Sequence, residues 1–583
     1  MSDELCYQYL MNTIENEERQ SIAQALQDRL SSEQLKSLVP LEIRQYIPRI
    51  LASNGLFNAP ITEPDVLAGI LADLYGAELL REKSVREALL ERASDEKLSE
   101  LLHALGKSFR RRADKVSTIA GSKWTAGKRW AKTFVQIMGL PVCLAGVPGE
   151  SGSIAKETIE PYVPLKPLHD FQEDLRDEVL ELIGNASVSK RAILTLPTGA
   201  GKTRTTVEAL ILFLRRNPLP SGIVLWIAQS EELCEQAVSS FREVWMEQLI
   251  SESQEGYLSP PRSLHIHRLW GRFGVPDEEI EPGSVVVAGI QKLSEMTSID
   301  MLLEAISILV VDEAHHAIAQ SYTKLFRKLE QLNRPILGLT ATPFRGSGEE
   351  SQRLIRRFQS QLLTPLMDKP MEELRQRGIL SSITSETCAT DRRFNLTATE
   401  LAHVERMHEL SKETLARIGS DVDRNRKILE RLLDIPSGKP VLFFACNVEH
   451  SHLMASLLRI KGRMASSVTA KTPDTMRRRC IQDFKDGHLQ FLCNVGVLTT
   501  GFDAPKIEVI AIARPTGSVL LYEQMVGRGM RGPKNGGTEE CLLIDFADNI
   551  QNFAEPMSYT RISLLWKKSA QEIRKLVRAR DVH

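Results

Sequence analysis

The order of apolar and polar positions divides the chain into a helical first part and a longer part of alternating strands and helices. Up to about residue 160, leucines recur at intervals of three and four residues, which predicts amphipathic helices. Beyond about residue 168, short apolar runs alternate with helical stretches. The predicted strands form a first set of five and a second set of four: 192–196, 222–228, 285–288, 308–311, 336–340, 441–445, 490–494, 508–513 and 541–545.

Continuous apolar strands separated by helices are typical of parallel sheets that are covered on both faces. The predicted fold class is therefore α/β, with two tandem doubly wound parallel-sheet domains preceded by an α-helical N-terminal domain. Residues 147–167 are rich in Gly, Pro and Ser and are predicted to be a linker. The expected units are an N-terminal accessory domain with its linker, two α/β domains and a basic C-terminal helix: 1–160, 161–365, 366–560 and 561–583.

Composition adds limits to this picture. The 583 residues are 42% hydrophobic and 26% charged, a composition that excludes disorder along the whole chain. The net charge of −1 does not indicate an acidic partner. The eight cysteines form no CxxC pair, so we expect neither a zinc site nor a disulfide framework. We find no signal peptide and no apolar run long enough for a membrane span, and we expect a cytoplasmic protein.

Charge is distributed unevenly within the first part. Residues 1–100 carry 18 acidic and 10 basic residues, whereas 101–135 carry nine basic residues and one acid, Asp114. Trp124 and Trp130 lie inside the basic run. This pattern has two interpretations: a nucleic-acid platform on which the indoles stack bases, or a solvated helix face with two core tryptophans. For residues 1–160 as a whole we expect a docking or substrate-loading module, with a protein partner as a candidate.

Candidate chemistry begins at LPTGAGKTR, residues 196–204, which follows a predicted strand and opens a helix. Glycines in this context let backbone N–H groups point at phosphates. Lys202 is expected to reach the β- and γ-phosphates, and Thr203 to place a hydroxyl on Mg²⁺. Leu196 stands where the general pattern has Gly. The residues predicted to bind the nucleotide here are Pro197, Thr198, Gly199, Ala200, Gly201, Lys202, Thr203 and Arg204.

A second element, ILVVDEAHH, is an apolar strand that ends in two carboxylates. Asp312 is expected to hold the Mg²⁺ ion through water, and Glu313 to polarise the attacking water. An acidic pair of this kind about 110 residues after a phosphate loop predicts a hydrolase that acts on a nucleotide phosphate with Mg²⁺.

These two elements belong to an ordered set that resembles the superfamily 2 helicases of the DEAH type. The residues of four segments are most similar to those of the bacterial RadD-like group: TATPFR, LTTGFDAP, ARPT and VGRGMR. Two departures stand beside this resemblance: His169 and Asp170 replace an Arg near the start of the Q motif, and the Cys-rich region after the last motif is missing. The motifs lie in order at 168–172, 196–204, 227–237, 289–293, 312–315, 340–342, 441–450, 494–505 and 524–531.

The resemblance implies two RecA-like lobes with ATP between them, and it implies roles for further residues. Gln172 would read the adenine edge, and Asp503 would contact the nucleotide. Gln524, Arg528 and Arg531 of the second lobe would join Lys202, Asp312 and Glu313 in catalysis, the arginines as fingers on the γ-phosphate. The resemblance also implies that His315, Thr340 and Thr342 couple the nucleotide state to closure of the lobes. Non-sequence-specific contacts to the nucleic-acid backbone fall to Gln229, Gln291, Thr499 and Thr500.

The expected activity is an ATP-dependent helicase or translocase, with DNA favoured, in DNA repair or anti-phage defence. Two alternatives stay open. The chain could be a DNA-stimulated ATPase that remodels protein–DNA complexes without unwinding. It could also be the motor subunit of an assembly, docked through its N-terminal domain.

Overall fold

A computed structural model describes the chain over most of its length. The described residues are 17–52, 63–146, 156–159, 167–184, 190–216, 222–254, 263–271, 273–274, 280–296, 299–341, 348–359, 361–365, 370–407, 409–498, 506–551 and 558–563.

The described residues before 147 are helical, as the leucine spacing predicts. Apolar side chains of the successive helices pack into one core, which includes Leu71, Leu98 and Phe134. Polar residues fix the helix starts. Ser31 and Gln34 form a reciprocal capping box, and Ser94 caps the helix that follows it. The helices are α1 (17–27), α2 (Ser32–Leu38), α3 (Leu41–Ala52), α4 (Pro64–Tyr75), α5 (Lys83–Glu91), α6 (Asp95–Ala104), α7 (Arg112–Ala120) and α8 (Arg129–Met138).

The first sheet has eight strands in the order β1-β4-β5-β3-β6-β7-β2-β8. Every residue of its central strands β3 and β6 is buried, as expected for a parallel sheet covered on both faces. The strands are β1 (Lys156–Ile159), β2 (Arg191–Thr195), β3 (Ile223–Ala228), β4 (Leu264–Leu269), β5 (Val285–Gly289), β6 (Ile306–Val311), β7 (Ile336–Thr340) and β8 (Leu362–Leu363). The helices of this lobe are α9 (Asp170–Ile183), α10 (Lys202–Arg216), α11 (Glu231–Gln254), α12 (Ile290–Glu295), α13 (Ile299–Glu304), α14 (Gln320–Gln331) and α15 (Gly348–Arg357).

The second sheet is parallel throughout, in the order β11-β12-β10-β13-β14-β9. Its strands are β9 (Ser382–Asn395), β10 (Val441–Phe444), β11 (Ala465–Val468), β12 (Phe491–Asn494), β13 (Val509–Ile512) and β14 (Glu540–Gln551). The helices are α16 (Pro370–Gln376), α17 (Ala398–Met407), α18 (Lys412–Gly419), α19 (Val422–Leu433), α20 (Val448–Ile460), α21 (Asp474–Lys485) and α22 (Val519–Gly527). The predicted α/β class with two parallel-sheet domains after a helical region is confirmed. None of the described helices combines the length and the apolar character needed to cross a membrane.

The sequence prediction omits five strands and is wrong in two details. β1 lies inside the stretch predicted to be a linker, and it pairs antiparallel with β4, so the edge of the first sheet is not parallel. β9 carries many polar residues because several of its positions face solvent. β8 and β11 lie at the edges of their sheets, and β8 has only two residues. β4 and β11 contain few large apolar residues. The search for continuous apolar runs does not detect strands of these kinds.

The helical domain packs against the outer face of the second lobe. Helix α3 lies on α19 and α20, and the apolar side chains of both parts form one continuous cluster. An ionic bridge reinforces this contact. Asp73 of α4, whose side chain is 7% exposed, pairs with Arg19 of its own domain and accepts a hydrogen bond of 2.8 Å from Arg459 of α20. Arg479 and Glu18 form a second, more exposed pair across the same contact.

Replacing Asp73 with Ala should lower the stability of the protein by about 1–3 kcal/mol, because two partly buried guanidinium groups lose their shared acceptor. Thermal unfolding of the full chain measures the effect. Lys83→Ala is the matched control: it breaks the exposed Lys83–Glu87 pair, so its melting temperature should stay near that of the wild type. Equal melting temperatures for Asp73→Ala and the wild type would show that the bridge contributes nothing.

Candidate active site

The phosphate-loop segment lies at the carboxyl edge of the first sheet, between β2 and α10. Gly199 and Gly201 have φ values of 85° and 89°, a region that favours glycine, and they turn the chain sharply into the helix. Lys202 is the first residue of α10, and its Nζ donates a hydrogen bond of 3.0 Å to the carbonyl of Leu196. The lysine thus folds back over the loop, with its ammonium group against the backbone of the first residue of the motif.

Gln172 of α9 supports this loop from behind. Its Nε2 donates to the carbonyl of Ala200 at 3.0 Å, and its Oε1 accepts from the backbone N–H of His169 at 2.9 Å. The amide lies so close to Gly201 that a Cβ there would collide with it. The structure therefore brings Gln172 to the nucleotide loop, and its amide fixes the loop backbone.

The two carboxylates follow β6 at the same edge of the sheet. β6 pairs with β7 and β7 pairs with β2, so the acidic turn and the phosphate loop are separated by one strand. Glu313 adopts the left-handed conformation with φ 48°, and its N–H donates to Asp312 Oδ1 at 2.9 Å. A non-glycine residue in this region stores strain, which is common at functional sites.

The second lobe reaches this edge directly. Gly527, at the end of α22, packs so closely on Thr198 that no side chain would fit at this position. Asn535 Nδ2 donates to the carbonyl of Gly199 at 3.2 Å. The phosphate loop is therefore enclosed between the two lobes, and the segment that ends α22 forms the opposite wall.

Charges from both lobes meet at this wall. Burial lowers the pKa of Lys202, and the carboxylates of Glu313, Glu523 and Asp312 oppose that shift. Burial also lowers the pKa of Arg528, and Glu313 opposes that shift. Glu523 and Arg528 come from the second lobe, so the charge on each side of the cleft is balanced partly by the other side.

The two neighbouring carboxylates are driven apart in acidity. Burial, reinforced by the negative charge of Glu313, raises the pKa of Asp312. Burial also acts to raise the pKa of Glu313, but His315, Lys202 and Arg528 outweigh it and hold this pKa well below its usual value. Glu313 is therefore the carboxylate that stays ionised, which is the state a general base requires.

Arg531 lies next to the entry of the chain into the second sheet. Its backbone bridges to Leu380, and Ser381 Oγ donates to its carbonyl at 2.6 Å. Burial lowers the pKa of the Arg531 guanidinium; burial, together with the Arg531 cation, lowers the pKa of Lys485. The backbone carbonyl of Gln524, one turn before Arg528, accepts a hydrogen bond from the side chain of Arg528 through Nε at 3.3 Å.

The donor set fits Mg²⁺ together with a nucleotide. Mg²⁺ is usually held by one or two carboxylates, phosphate oxygens and water, without a full protein cage. Asp312 and the hydroxyl of Thr203 at the start of α10 supply donors of this kind next to the phosphate loop. Within the part of the chain that the structure describes, no group of three His, Cys, Asp or Glu side chains is arranged to hold a metal ion.

The described coupling residues lie immediately around the acidic turn. His315 is 1% exposed, and its Nδ1 lies 3.2 Å from Glu313 Oε2. Thr340 is fully buried at the end of β7, opposite Thr195 of β2. His315 therefore contacts the acidic turn, and Thr340 lies beside the end of the strand that leads into the phosphate loop. Thr342 and Asp503 lie outside the described residues.

Two of the predicted nucleic-acid contacts share one surface. Gln229 follows β3 and Gln291 opens α12 after β5, and these strands are parallel neighbours paired through Ala228 and Gly289. Both glutamine side chains are exposed. Both residues therefore lie at the carboxyl edge of the first sheet, after two adjacent strands. Thr499 and Thr500 lie outside the described residues.

One predicted nucleotide contact is directed elsewhere, and several residues were missed. Arg204 Nε donates to Glu208 Oε1 at 2.9 Å along α10, so its side chain is engaged within the helix. Glu523 and Asn535, which reach the phosphate loop from the second lobe, have no short motif of their own. Glu523 directly precedes Gln524, the first residue of the last motif, and this position could have indicated it. Asn535 lies outside every motif, so the sequence gives no signal for it. The Arg377–Asp170 pair, which joins the lobe connection to the start of α9, was also missed.

Comparisons with known proteins agree with this arrangement. Residues 165–345 match the family model "Type III restriction enzyme, res subunit", and residues 424–532 match "Helicase conserved C-terminal domain". The chain is 27% identical over 394 residues to IRC3 of Saccharomyces cerevisiae, whose name proposes an ATP-dependent helicase; the match covers 65% of this chain and 51% of IRC3. The chain thus spans about half the length of this relative.

Two further similarities are more distant. A DNA 3'-5' translocase, XPB2 of Sulfurisphaera tokodaii, is 22% identical, with 65% of this chain and 82% of that protein covered. The structure of Saccharomyces cerevisiae Dbp5 bound to RNA and ADP BeF3 aligns with a TM-score of 0.43 at 15% identity, over 68% of this chain and 87% of that one. The two family models show that the chain carries one segment similar to the res subunit of type III restriction enzymes and a second segment similar to the helicase C-terminal domain.

Proposed function

We propose that this protein is an ATP-dependent helicase or translocase that acts on nucleic acid, with DNA favoured over RNA as the substrate. The observation that carries the proposal is the junction at the phosphate loop. There, Gly527 packs on Thr198 and Asn535 donates to the carbonyl of Gly199, and the charges of Glu523 and Arg528 act on those of Lys202 and Glu313. A site built from both lobes makes hydrolysis depend on their relative position, which is the requirement for a motor.

In the proposed reaction, the N–H groups of Gly199 to Lys202 bind the β- and γ-phosphates, and Lys202 leaves the Leu196 carbonyl to pair with them. Thr203 and Asp312 would hold Mg²⁺, which neutralises charge on the phosphates. Glu313, kept ionised by His315 and Lys202, orients and deprotonates the attacking water. Arg528 and Arg531 stabilise the charge that develops on the transferred phosphoryl group.

Nucleotide binding would be coupled to strand movement through the same residues. An incoming phosphate competes with Glu313, Glu523 and Asp312 for Lys202, so ATP rearranges the charges that join the lobes. His315 and Thr340, which pack beside the acidic turn, would transmit that change. Gln229 and Gln291 would grip the strand backbone from the first lobe, together with Thr499 and Thr500 of the second. Such contacts carry no sequence information.

The finer assignments belong to the same proposal. The DEAH sequence and the RadD-like wording of the motifs favour a DNA motor of that subtype in the cytoplasm, in DNA repair or defence against phage. The name of the similar Sulfurisphaera tokodaii protein, a DNA translocase, favours DNA as well. A remodelling ATPase that moves on duplex DNA without unwinding it is the second candidate, and this relative named as a translocase favours it.

Lys202→Ala and Glu313→Gln should each reduce ATP hydrolysis by at least about 100-fold. The first removes the cation that binds the phosphates, and the second removes the base while keeping the size of the side chain. Steady-state phosphate release measures the loss. Arg204→Ala is the control and should retain activity, because Arg204 pairs with Glu208. Turnover near the wild-type rate in Glu313→Gln would refute its role as base.

Arg531→Ala and Arg528→Ala should retain ATP binding but lose hydrolysis by about 1,000-fold, because arginine fingers stabilise the transition state more than the bound nucleotide. Binding of a fluorescent ATP analogue and phosphate release are measured on the same preparations. A parallel loss of binding and hydrolysis would contradict the finger role and indicate damage to the second lobe.

ATP hydrolysis and strand displacement, measured with single-stranded DNA, duplex DNA, forked DNA and RNA of matched sequence, separate the candidates. For a helicase, we expect hydrolysis stimulated by single-stranded DNA and release of the displaced strand from the fork. Stimulation by duplex DNA without displacement would favour the remodelling ATPase. Hydrolysis that no nucleic acid stimulates would refute the proposed function.

A further inference from the structure

The basic run of the helical domain separates into two parts in the structure. Trp124 and Trp130 are half-buried, and their rings pack edge-on against Phe134 at centroid distances of 5.5 and 6.0 Å. They belong to the core, as the solvated-face interpretation predicts. The segment 105–111, which we name the basic loop, is different, because it displays Phe109 with 40% of its surface exposed.

Three cations lie close to Phe109 in the sequence of the loop. Lys107, Arg110 and Arg111 are all exposed and lie within two residues of Phe109. The acid nearest in the sequence is Asp114, which is exposed on the first turn of α7. A flat apolar ring with three positive side chains beside it in the loop offers a stacking surface for a base next to groups that bind phosphate.

The basic loop is held at both ends. It leaves α6 through Gly106, whose φ of 67° reverses the chain, and the N–H of Lys107 donates to the carbonyl of Leu102 at 2.9 Å. At the other end, Arg112 pairs with Asp95 and donates to the carbonyl of Glu91 at 3.0 Å. Arg112 is thus a structural residue, and the loop presents its other cations from a fixed base.

We propose that the basic loop is a second binding site for single-stranded nucleic acid, in which Lys107, Arg110 and Arg111 contact phosphates and Phe109 stacks on a base. Positive side chains around an exposed ring are the combination that binds an unpaired strand. A duplex would satisfy the cations but would offer the ring no free base. The ring therefore selects single strands.

This site would travel with the second lobe, because the helical domain is joined to α20 through Asp73 and Arg459 and through a shared apolar core. Gln229 and Gln291, in contrast, belong to the first lobe. This consequence rests on the proposed function: opening and closing of the lobes would change the distance between the two contacts. A nucleic-acid strand bound both at the basic loop and at Gln229 and Gln291 would stay bound at one of these contacts while the other moves.

The test uses the full chain and a fluorescein-labelled 20-nucleotide oligo(dT), with anisotropy measured over a range of salt concentrations. K107A/R110A/R111A should weaken binding by about tenfold and reduce the salt slope by about 2, since each lost phosphate contact removes about 0.7. K36A/R49A/K83A is the matched control. It removes the same charge from exposed positions elsewhere on the domain and should leave both quantities near wild type.

Phe109 provides a separate readout. Phe109→Leu should weaken oligo(dT) binding by about fivefold without a change in salt slope, and Phe109→Trp should restore it, because stacking requires a flat ring and carries no charge. Unchanged affinity in K107A/R110A/R111A, or an equal loss in the control variant, would overturn the inference while strand-stimulated hydrolysis still supports the motor. A wild-type chain whose hydrolysis no strand stimulates would instead refute the proposed function.

Discussion

The cluster of charges around Lys202 is the interaction on which the rest of the site depends. Asp312 and Glu523 are buried, whereas Lys202, Glu313 and Arg528 are half-buried, and each of these charges would be costly to remove from water alone. Their compensation crosses the lobe boundary, because Glu523 and Arg528 arrive from α22. The closed arrangement is therefore not stabilised by apolar contact alone, and a polyanionic ligand at Lys202 changes the balance of every member of the cluster.

The sequence predicts this site well where the chemistry is local. The segment from Leu196 to Lys202 must turn sharply between a buried strand and a helix, and two glycines with a lysine leave few alternatives. The turn at Asp312 and Glu313 follows a strand whose six residues are all buried, so its position at the sheet edge is also determined locally. Contacts made by loops of the other lobe are different. Asn535 reaches Gly199 only because α22 and the chain after it fold over the first lobe.

The strands that the pattern missed show the same limit. β9 is long and largely polar, and it is a strand because β14 supplies a hydrogen-bonding partner along its length. β1 lies in a segment with the composition of a linker, and β4 gives it a place at the edge of the sheet. For Trp124 and Trp130 the charge run favoured neither interpretation. Packing on Phe134 decides between them, and that contact depends on the tertiary arrangement of α8.

Because the helical domain is attached to the second lobe, the two lobes of the molecule differ, and the motor motifs alone do not predict this difference. Asp73 binds a guanidinium from each side of the contact, and the apolar core runs without interruption from α3 into the helices that cover the second sheet. A continuous core of this kind moves as one body, because sliding it would expose apolar surface that is now buried. Any surface of the helical domain therefore keeps a fixed position relative to Arg528 and Arg531. If the lobes open and close as proposed, a ligand of the helical domain would move together with the second lobe and its two arginines.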